Sequence, residues 1–535
     1  MSQVEERILE LWNKRKLAAE ELRQVTEDRW YRNWRAYRNT VKPRRFRGLQ
    51  WQYSEPIPDI FRVVETLTAH HTQLLFRNPH WLGIEAPMAD EANYVQMCKA
   101  LLMGGWRRAE GYKKTNKAAR SGLIFGHTVG KLYWQTVLGE RQITEFGNEI
   151  GPDGELLEVQ RRVTVPDIRF DGPQIESVNL FNIFQDPTGN EEWFIQRIPS
   201  SLSKLKQLNK DYGGVLYKNL NQLTAEKALS RGAYGGIGKQ VTTESFNELA
   251  QAVDGIPDTS QLADDHVELW QCWGYVPKEV RTYPDDVDEN GQTLKATQWR
   301  LQIIASESVV IRDEPAPTFD HRPPFFNTPY IELPDQLYGD TPISYVHKLS
   351  EMRSQIESNR LNGVMMEMFG TSVVHMDAEV DGRAFKEPGG YLKVRPPFGL
   401  GLNDSFSSIP RNPIFPEAYA ESANKERQIL DTSGATEPFQ GTFAAGGSHR
   451  TKGEFDGTVA LGSARINQAR MWWDEAWLKP IVSRMFKYYQ TRLTTPQILQ
   501  LIGDNGQKQQ IPVDFRQLQY DIDVWVDTGL YGSMD

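Results

Sequence analysis

The stretch from Thr341 to Leu493 constrains the fold more than any other part of this 535-residue chain. It reads as a long helix, a small glycine- and proline-rich β module, a shorter helix, a glycine/serine loop and a very long aromatic helix. Thr341-Pro342 opens the first helix with a hydroxyl cap and a proline in the first turn, and only Gly363 weakens the pattern before Met368. Such a helix spans about 40 Å at roughly 1.5 Å per residue. Its charges, among them Lys348, Glu351, Arg353, Glu357 and Arg360, are mixed in sign and spread around the circumference, as expected where the neighbours are other helices and water. This predicts copies packed side by side.

Between Phe369 and Pro413, the segments Thr371 to His375 and Gly389 to Val394 and a tail through Pro396-Pro397 predict a minimal β fold. Units of about 40 residues generally need outside support, which makes this module an expected interface. Phe415 to Leu430 predicts a returning helix, antiparallel if the module is compact. Thr432 to Gly453 has the composition of a long functional loop. Glu454 to Leu493 predicts a helix of about 60 Å, with Gly457 and Gly462 as weak points where it can kink.

Upstream, Val4 to Tyr37 has the spacing of an amphipathic helix or helix pair, and further helices are predicted over Ile60 to Phe76, from near Ala89 to Gly104, and over Tyr112 to Gly122. Lys131 to Val137 alternates as a strand, two or three strands follow from Arg141 to Phe184 around a tip at Asn148 to Gly154, and Trp193 to Arg197 predicts another. Ser201 is placed to cap a helix, and about 209–257 reads as a mobile insertion. His266 to Val276 and Trp299 to Ile311 predict a β pair, followed by a proline-rich strap from Pro315 to Pro334. Asp521 to Asp527 alternates strictly and predicts a strand returning to the β region near the middle of the chain. So early an end after a strand suggests that a natural chain continues into a helical C-terminal domain.

At 61.3 kDa the chain predicts two to four substructures. The 15 tryptophans, 20 tyrosines and 23 phenylalanines exclude a disordered chain. Cys98 and Cys272 form neither a disulfide framework nor a zinc motif, which fits a reducing cytosol. The charged N-terminus is no secretory leader, and no run approaches a membrane span, so a soluble protein with no membrane partner is expected. A net charge of −9 excludes a surface dominated by phosphate binding. Local basic runs at Lys42 to Arg47 and Arg107 to Lys117 read either as solvated faces or as phosphate contacts.

The enzymatic leads fail on inspection. Gly235 to Gln240 resembles a phosphate loop, but Ala233 stands where its first glycine belongs and Gln240 where serine or threonine belongs. His70-His71 lacks a third ligand, and the acidic residues around Asp264-Asp265 and Asp285 to Glu289 read as solvated loop. No catalytic residue, metal or cofactor is expected, and the chain does not read as an enzyme.

Four segments carry a family resemblance: Ile60 to Asn78 with Pro79, the early helix whose end reads Leu74 to Trp81, then Ser121 to Trp134, Val178 to Gly189 and Leu337 to Gly363. With the order of elements above, the chain resembles the portal proteins of tailed bacteriophages, closest in layout to podophage head-to-tail connectors with a long wing insert. The resemblance implies an α+β portal fold: wing over 1–340, stem helix 1 over 341–368, clip over 369–412, stem helix 2 over 413–432, tunnel loop over 433–453, long kinked wing helix over 454–493, and a wing strand and start of crown over 494–535. The crown is expected to be short or absent.

It further implies a homo-dodecamer at one capsid vertex of the virion, assembled in the host cytoplasm. Its expected partners are the major capsid protein and scaffold, the terminase large subunit transiently, and a tail adaptor or head-completion protein at the clip. Double-stranded DNA passes without sequence preference during packaging and ejection, which requires weak contacts. On this reading Gln440, His449, Arg450 and Lys452, with Phe439 and Phe443 as packing residues, are the tunnel-loop DNA contacts. Lys348, Glu351, Arg353, Glu357 and Arg360 are the stem subunit contacts, and Val373, His375, Tyr391, Lys393 and Arg395 form the clip interface. The alternative is another virion structural protein, a capsid or tail-tube component.

Overall fold

The computed structural model describes residues 3–45, 52–77, 81–85, 91–150, 156–223, 266–281, 297–320, 322–369, 372–374, 379–380, 394–395, 398–399, 406–408, 416–435, 468–469, 471–493, 497–502, 508–513, 518 and 520–526. Helices and strands are mixed, and every described strand pairing is antiparallel, an α+β chain. The chain divides into two compact units, one of Met1–Trp30, Thr68–Thr341 and Ile466–Asp535, the other of Tyr31–Leu67 and Pro342–Arg465. Residues Tyr31–Leu67, read from the sequence within the wing, thus group with the expected stem and clip.

The first unit begins with α1 (Gln3–Tyr37), one continuous helix whose residues up to Trp30 belong here. Ile8, Trp12 and Ala19 recur at helical spacing and pack on Phe184, Trp193, Ile195, Trp270 and Ile304 of a five-stranded sheet. That sheet runs in the order β4 (Ile183–Gln185), β5 (Trp193–Ser201), β6 (His266–Pro277), β7 (Thr297–Ala305), β8 (Val309–Pro315). The buried Trp12 indole donates to Gln302 Oε1 at 2.6 Å, so its one polar atom is satisfied inside the core. The run expected as one strand from Trp299 to Ile311 breaks at Ser306 and Glu307, both at positive φ, and folds back as β7 and β8. Ser201 caps α5 (Leu202–Asp211), its hydroxyl accepting from the Lys204 amide at 3.3 Å as the sequence predicted.

A second core in this unit is aromatic and helical. It joins α3 (Glu91–Arg108), α4 (Gly111–Phe125) and α8 (Lys479–Arg492) through Trp106, Ala118, Ala119, Tyr488 and Tyr489, all buried. A π turn over Asp474–Leu478 precedes α8, with the Lys479 amide donating to the Asp474 carbonyl. Pro480 explains it: proline has no N–H for the Ala476 carbonyl and its ring would crowd that carbonyl, so the helix widens and Ala476 O instead accepts from Thr328 Oγ1 at 3.2 Å. The glycine weak points at 457 and 462 lie outside the described residues.

The terminal strand is corrected. β16 (Asp523–Val526) pairs not with the mid-chain sheets but with β1 (Leu82–Glu85), a short strand that the sequence reading passed over. Gly83 permits the pairing, because a Cβ there would lie 2.2 Å from the Trp525 ring. A hairpin of β14 (Gln497–Ile502) and β15 (Lys508–Val513) was also unforeseen.

The middle strands are longer than expected. β2 (His127–Ile150) and β3 (Leu156–Val178) form one hairpin whose register runs from Val129↔Val178 to Ile150↔Leu156. A third strand, β9 (Phe325–Pro329) from the proline strap, pairs only with His127 to Lys131. Beyond Lys131 the hairpin is a two-stranded arm, with a register shift between Val137 and Leu138.

In the second unit α6 (Ile343–Phe369) and α7 (Pro416–Ser433) pack together, connected through β10 (Ser372–Val374), β11 (Glu379–Val380), β12 (Val394–Arg395) and β13 (Phe406–Ser408). These strands form two separate two-stranded sheets, β10 with β13 and β11 with β12. Gly434, at φ +81°, ends α7 with its amide donating to the Leu430 carbonyl, the left-handed stop that glycine allows.

Candidate functional site

The most developed polar arrangement in the second unit is a seam along the paired helices α6 and α7. On α6, Arg353, Glu357 and Arg360 fall on one face at i, i+4 and i+7; on α7, Tyr419, Ser422 and Glu426 do the same at i, i+3 and i+7. Their contacts run in opposite order along the two helices, Arg353 to Glu426, Glu357 to Ser422 and Arg360 to Tyr419, which establishes the antiparallel pairing.

One end of the seam is a closed quartet of charges. Arg353 Nη2 donates to Glu426 Oε2 at 2.6 Å and its Nη1 to Asp59 of α2 (Asp59–Arg77). Arg62, one turn along α2, returns the loop, with Nη1 at 2.8 Å from Glu426 Oε1 and Nη2 at 3.4 Å from Asp59 Oδ1. The Asp59 side chain is 2% exposed and Arg353 14%, whereas Glu426 and Arg62 reach solvent at 31% and 36%. Burial pushes the Asp59 carboxyl above its ordinary range, and Arg353 and Arg62 offset part of that rise.

The other end is a stacked cluster. Arg360 Nε donates to Glu357 Oε2 at 2.7 Å, its guanidinium lies 4.8 Å from the Tyr419 ring centre, and Ser422 Oγ donates to Glu357 Oε1. Burial acts to raise the Glu357 carboxyl, but the Ser422 hydroxyl and the Arg360 and Arg353 guanidiniums outweigh it and hold the group below its usual value. On another face of α6, Ser350, Ser354 and Ser358 are buried, and Ser354 Oγ accepts from the Ile57 amide at 3.0 Å. Small side chains let the segment before α2 lie close against the helix.

Among the five predicted stem contacts, Arg353, Glu357 and Arg360 therefore have partners within their own chain, while Lys348 and Glu351 are exposed. Two exposed apolar side chains share α6 with them, Tyr345 at 57% and Met352 at 45%. Of the predicted clip residues, Val373 lies opposite Ser407 on β10 and Arg395 opposite Glu379 on β12. His375, Tyr391 and Lys393 lie outside the described residues, as do the predicted tunnel-loop contacts Phe439, Gln440, Phe443, His449, Arg450 and Lys452. Asp59, Arg62, Tyr419, Ser422 and Glu426 were missed by sequence reading. The one available signal was the helical spacing of the last three.

In the first unit Lys131 is buried, its ammonium donating to Gln196 Oε1 at 2.6 Å and Gln271 Oε1 at 2.9 Å. Burial pulls the lysine down to about 8, with Glu176 opposing. Among the described residues no cluster of histidine, cysteine or carboxylate side chains could hold a metal ion, and no helix is long and apolar enough to cross a membrane. No protein-family model matches this chain, and no curated protein matches it.

Proposed function

We propose that this chain is the subunit of a portal, the head-to-tail connector of a tailed bacteriophage. Twelve copies close a ring at one capsid vertex, conduct double-stranded DNA during packaging and ejection, and dock first the terminase and then a tail adaptor. The observation that carries the reading is the second unit: an antiparallel helix pair locked by a polar seam, with small two-stranded sheets in its connection. Two-stranded sheets of two or three residues per strand have too little buried surface to be stable alone and need a neighbour. Identical tips around a ring supply one.

The seam has a mechanical consequence. With Arg353, Glu357 and Arg360 engaged within the chain, the helix pair can act as one rigid rod, and the exposed Lys348, Glu351 and Met352 face the next copy. On this reading 433–453 is the tunnel loop. The acidic balance of the chain, −9, suits passage of a polyanion without capture. Negative-stain images of the purified full chain viewed down the symmetry axis test this reading. A closed ring with a central hole is expected; sheets, stacked tubes or isolated monomers would overturn it.

A further inference from the structure

The basic stretch at the end of α1 has no part in the proposed function, and the structure fixes its backbone while leaving its charges outward. From Tyr31 to Arg45 there are six basic residues and no acid, a net of +6 in a chain whose total is −9. Arg32, Arg35, Arg38, Lys42, Arg44 and Arg45 are all exposed. The stretch belongs to the second unit, as α6 does. Beyond α1 the chain turns at Asn39, whose φ is +56°, and the Thr40 amide donates to the Arg35 carbonyl at 3.1 Å.

The residues that follow are tied to α6 through their peptide groups. Gln355 Oε1 accepts from the Arg44 amide at 2.8 Å and its Nε2 donates to the Arg44 carbonyl at 3.1 Å, so one carboxamide satisfies both backbone groups of one residue. Two turns along α6, Asn362 does the same for Tyr53, at 2.6 and 3.3 Å. Asn39 Nδ2 donates to the Pro56 carbonyl at 2.9 Å and Ser54 Oγ to the Pro43 carbonyl, which join 39–45 to 52–57. None of these bonds uses a basic side chain. Lys42 pairs with Glu55 at 3.0 Å, but the guanidiniums of Arg44 and Arg45 have no hydrogen bond or ion pair among the described residues.

We infer that Arg44 and Arg45 form a binding site for the phosphate backbone of duplex DNA. The inference rests on the ring reading, which brings a duplex past every subunit, and names a contact for it. A guanidinium presents a planar fork of donors that matches a phosphate, and a backbone already held by Gln355 has little ordering left to lose on binding. The neighbouring cations supply the local field, and contacts to phosphates carry no sequence preference. Two cations per copy in an acidic chain make a contact that salt weakens, so it forms and releases as the duplex moves. An acidic polypeptide is the competing occupant. The duplex is favoured because the basic residues are strung over a helix end and the segment after it, a spread that a continuous row of phosphates can follow.

The test measures binding of a mixed-sequence duplex to the full chain by fluorescence anisotropy across a salt series. Arg44→Gln/Arg45→Gln should bind about tenfold more weakly than the parent at low salt, and log K should fall less steeply with log salt, by about 2 for each subunit that touches the duplex. Arg44→Lys/Arg45→Lys keeps both charges and should keep the parent slope. A glutamine variant within about twofold of the parent, at the same slope, overturns the inference. So does a lysine variant whose slope falls as the glutamine variant's does, because the loss would then come from the fold and not from charge. Loss of polyglutamate binding in the glutamine variant with duplex binding kept assigns the site to an acidic polypeptide and overturns the inference as well. A parent chain that forms no ring defeats the ring reading and this site with it, whereas a ring whose duplex affinity ignores the two arginines defeats the site alone.

Discussion

Replacing Arg353 with methionine removes the closer-held of the two cations shared by Asp59 and Glu426 while keeping most of the side-chain volume. Glu426 and Arg62 retain their 2.8 Å contact and both reach solvent, so that pair contributes well under 1 kcal/mol to the difference. The loss falls on Asp59, which is 2% exposed and keeps only Arg62 at 3.4 Å. Losing a charged hydrogen bond to a carboxylate out of reach of water destabilises by about 2–3 kcal/mol. The pH dependence identifies the cause. Burial already raises Asp59 above its ordinary value of 3.8, so the folded unit binds its proton more tightly than the unfolded chain does. The destabilisation from this group is therefore full above the raised folded value and disappears as pH falls to the ordinary value. Without Arg353 the folded value rises further, so the gap between variant and parent should be largest at neutral pH and narrow toward pH 4. Because two units need not unfold together, the readout is amide hydrogen exchange of peptides within 343–369 and 416–433. A gap below about 0.5 kcal/mol at neutral pH, or one that does not narrow on acidification, refutes the argument.

Glu357→Gln should destabilise the same peptides at neutral pH but not at low pH: the carboxyl is held below its ordinary value, so its contribution is present above that value and lost as pH falls through the folded one. Lys131→Met should narrow the stability difference between pH 8 and pH 10.5, because the buried lysine, at about 8, makes the parent gain stability as pH rises through that window, by up to about 3 kcal/mol; urea titrations at both pH values check it. Thr328→Val should lower the thermal midpoint by the equivalent of about 1 kcal/mol, since Ala476 O in the π turn loses the donor that Pro480 cannot replace. Gly126→Ala should cost about 3 kcal/mol in the same melting assay, since φ is +80° and a Cβ would meet backbone atoms of Gly339 and Asp340 at 2.8 Å.

What could be read in advance follows from the range of the forces involved. Helices announced by local periodicity and caps, α1, α2, α6 and α7, stand within a few residues of expectation, and so does the Ser201 cap. The arm was legible only as short alternating pieces, because β2 and β3 extend well past the alternating stretch that flagged them. β1 has four residues and depends on a partner more than four hundred positions away, so no local signal marks it. The π turn needed the joint placement of Pro480 and Thr328. In the seam, α6 showed its charges plainly, yet charge spacing does not say which partner a guanidinium will choose. Arg353 found Asp59 and Glu426 at separations of 294 and 73 residues, pairings that only the packed helices define.

The mass of the assembled full chain at physiological salt bears most directly on the ring. Native mass spectrometry should find one dominant closed species of twelve 61.3 kDa subunits, about 740 kDa, without a ladder of larger forms. A stable 61.3 kDa monomer at every concentration, or an open-ended series of masses, contradicts the account.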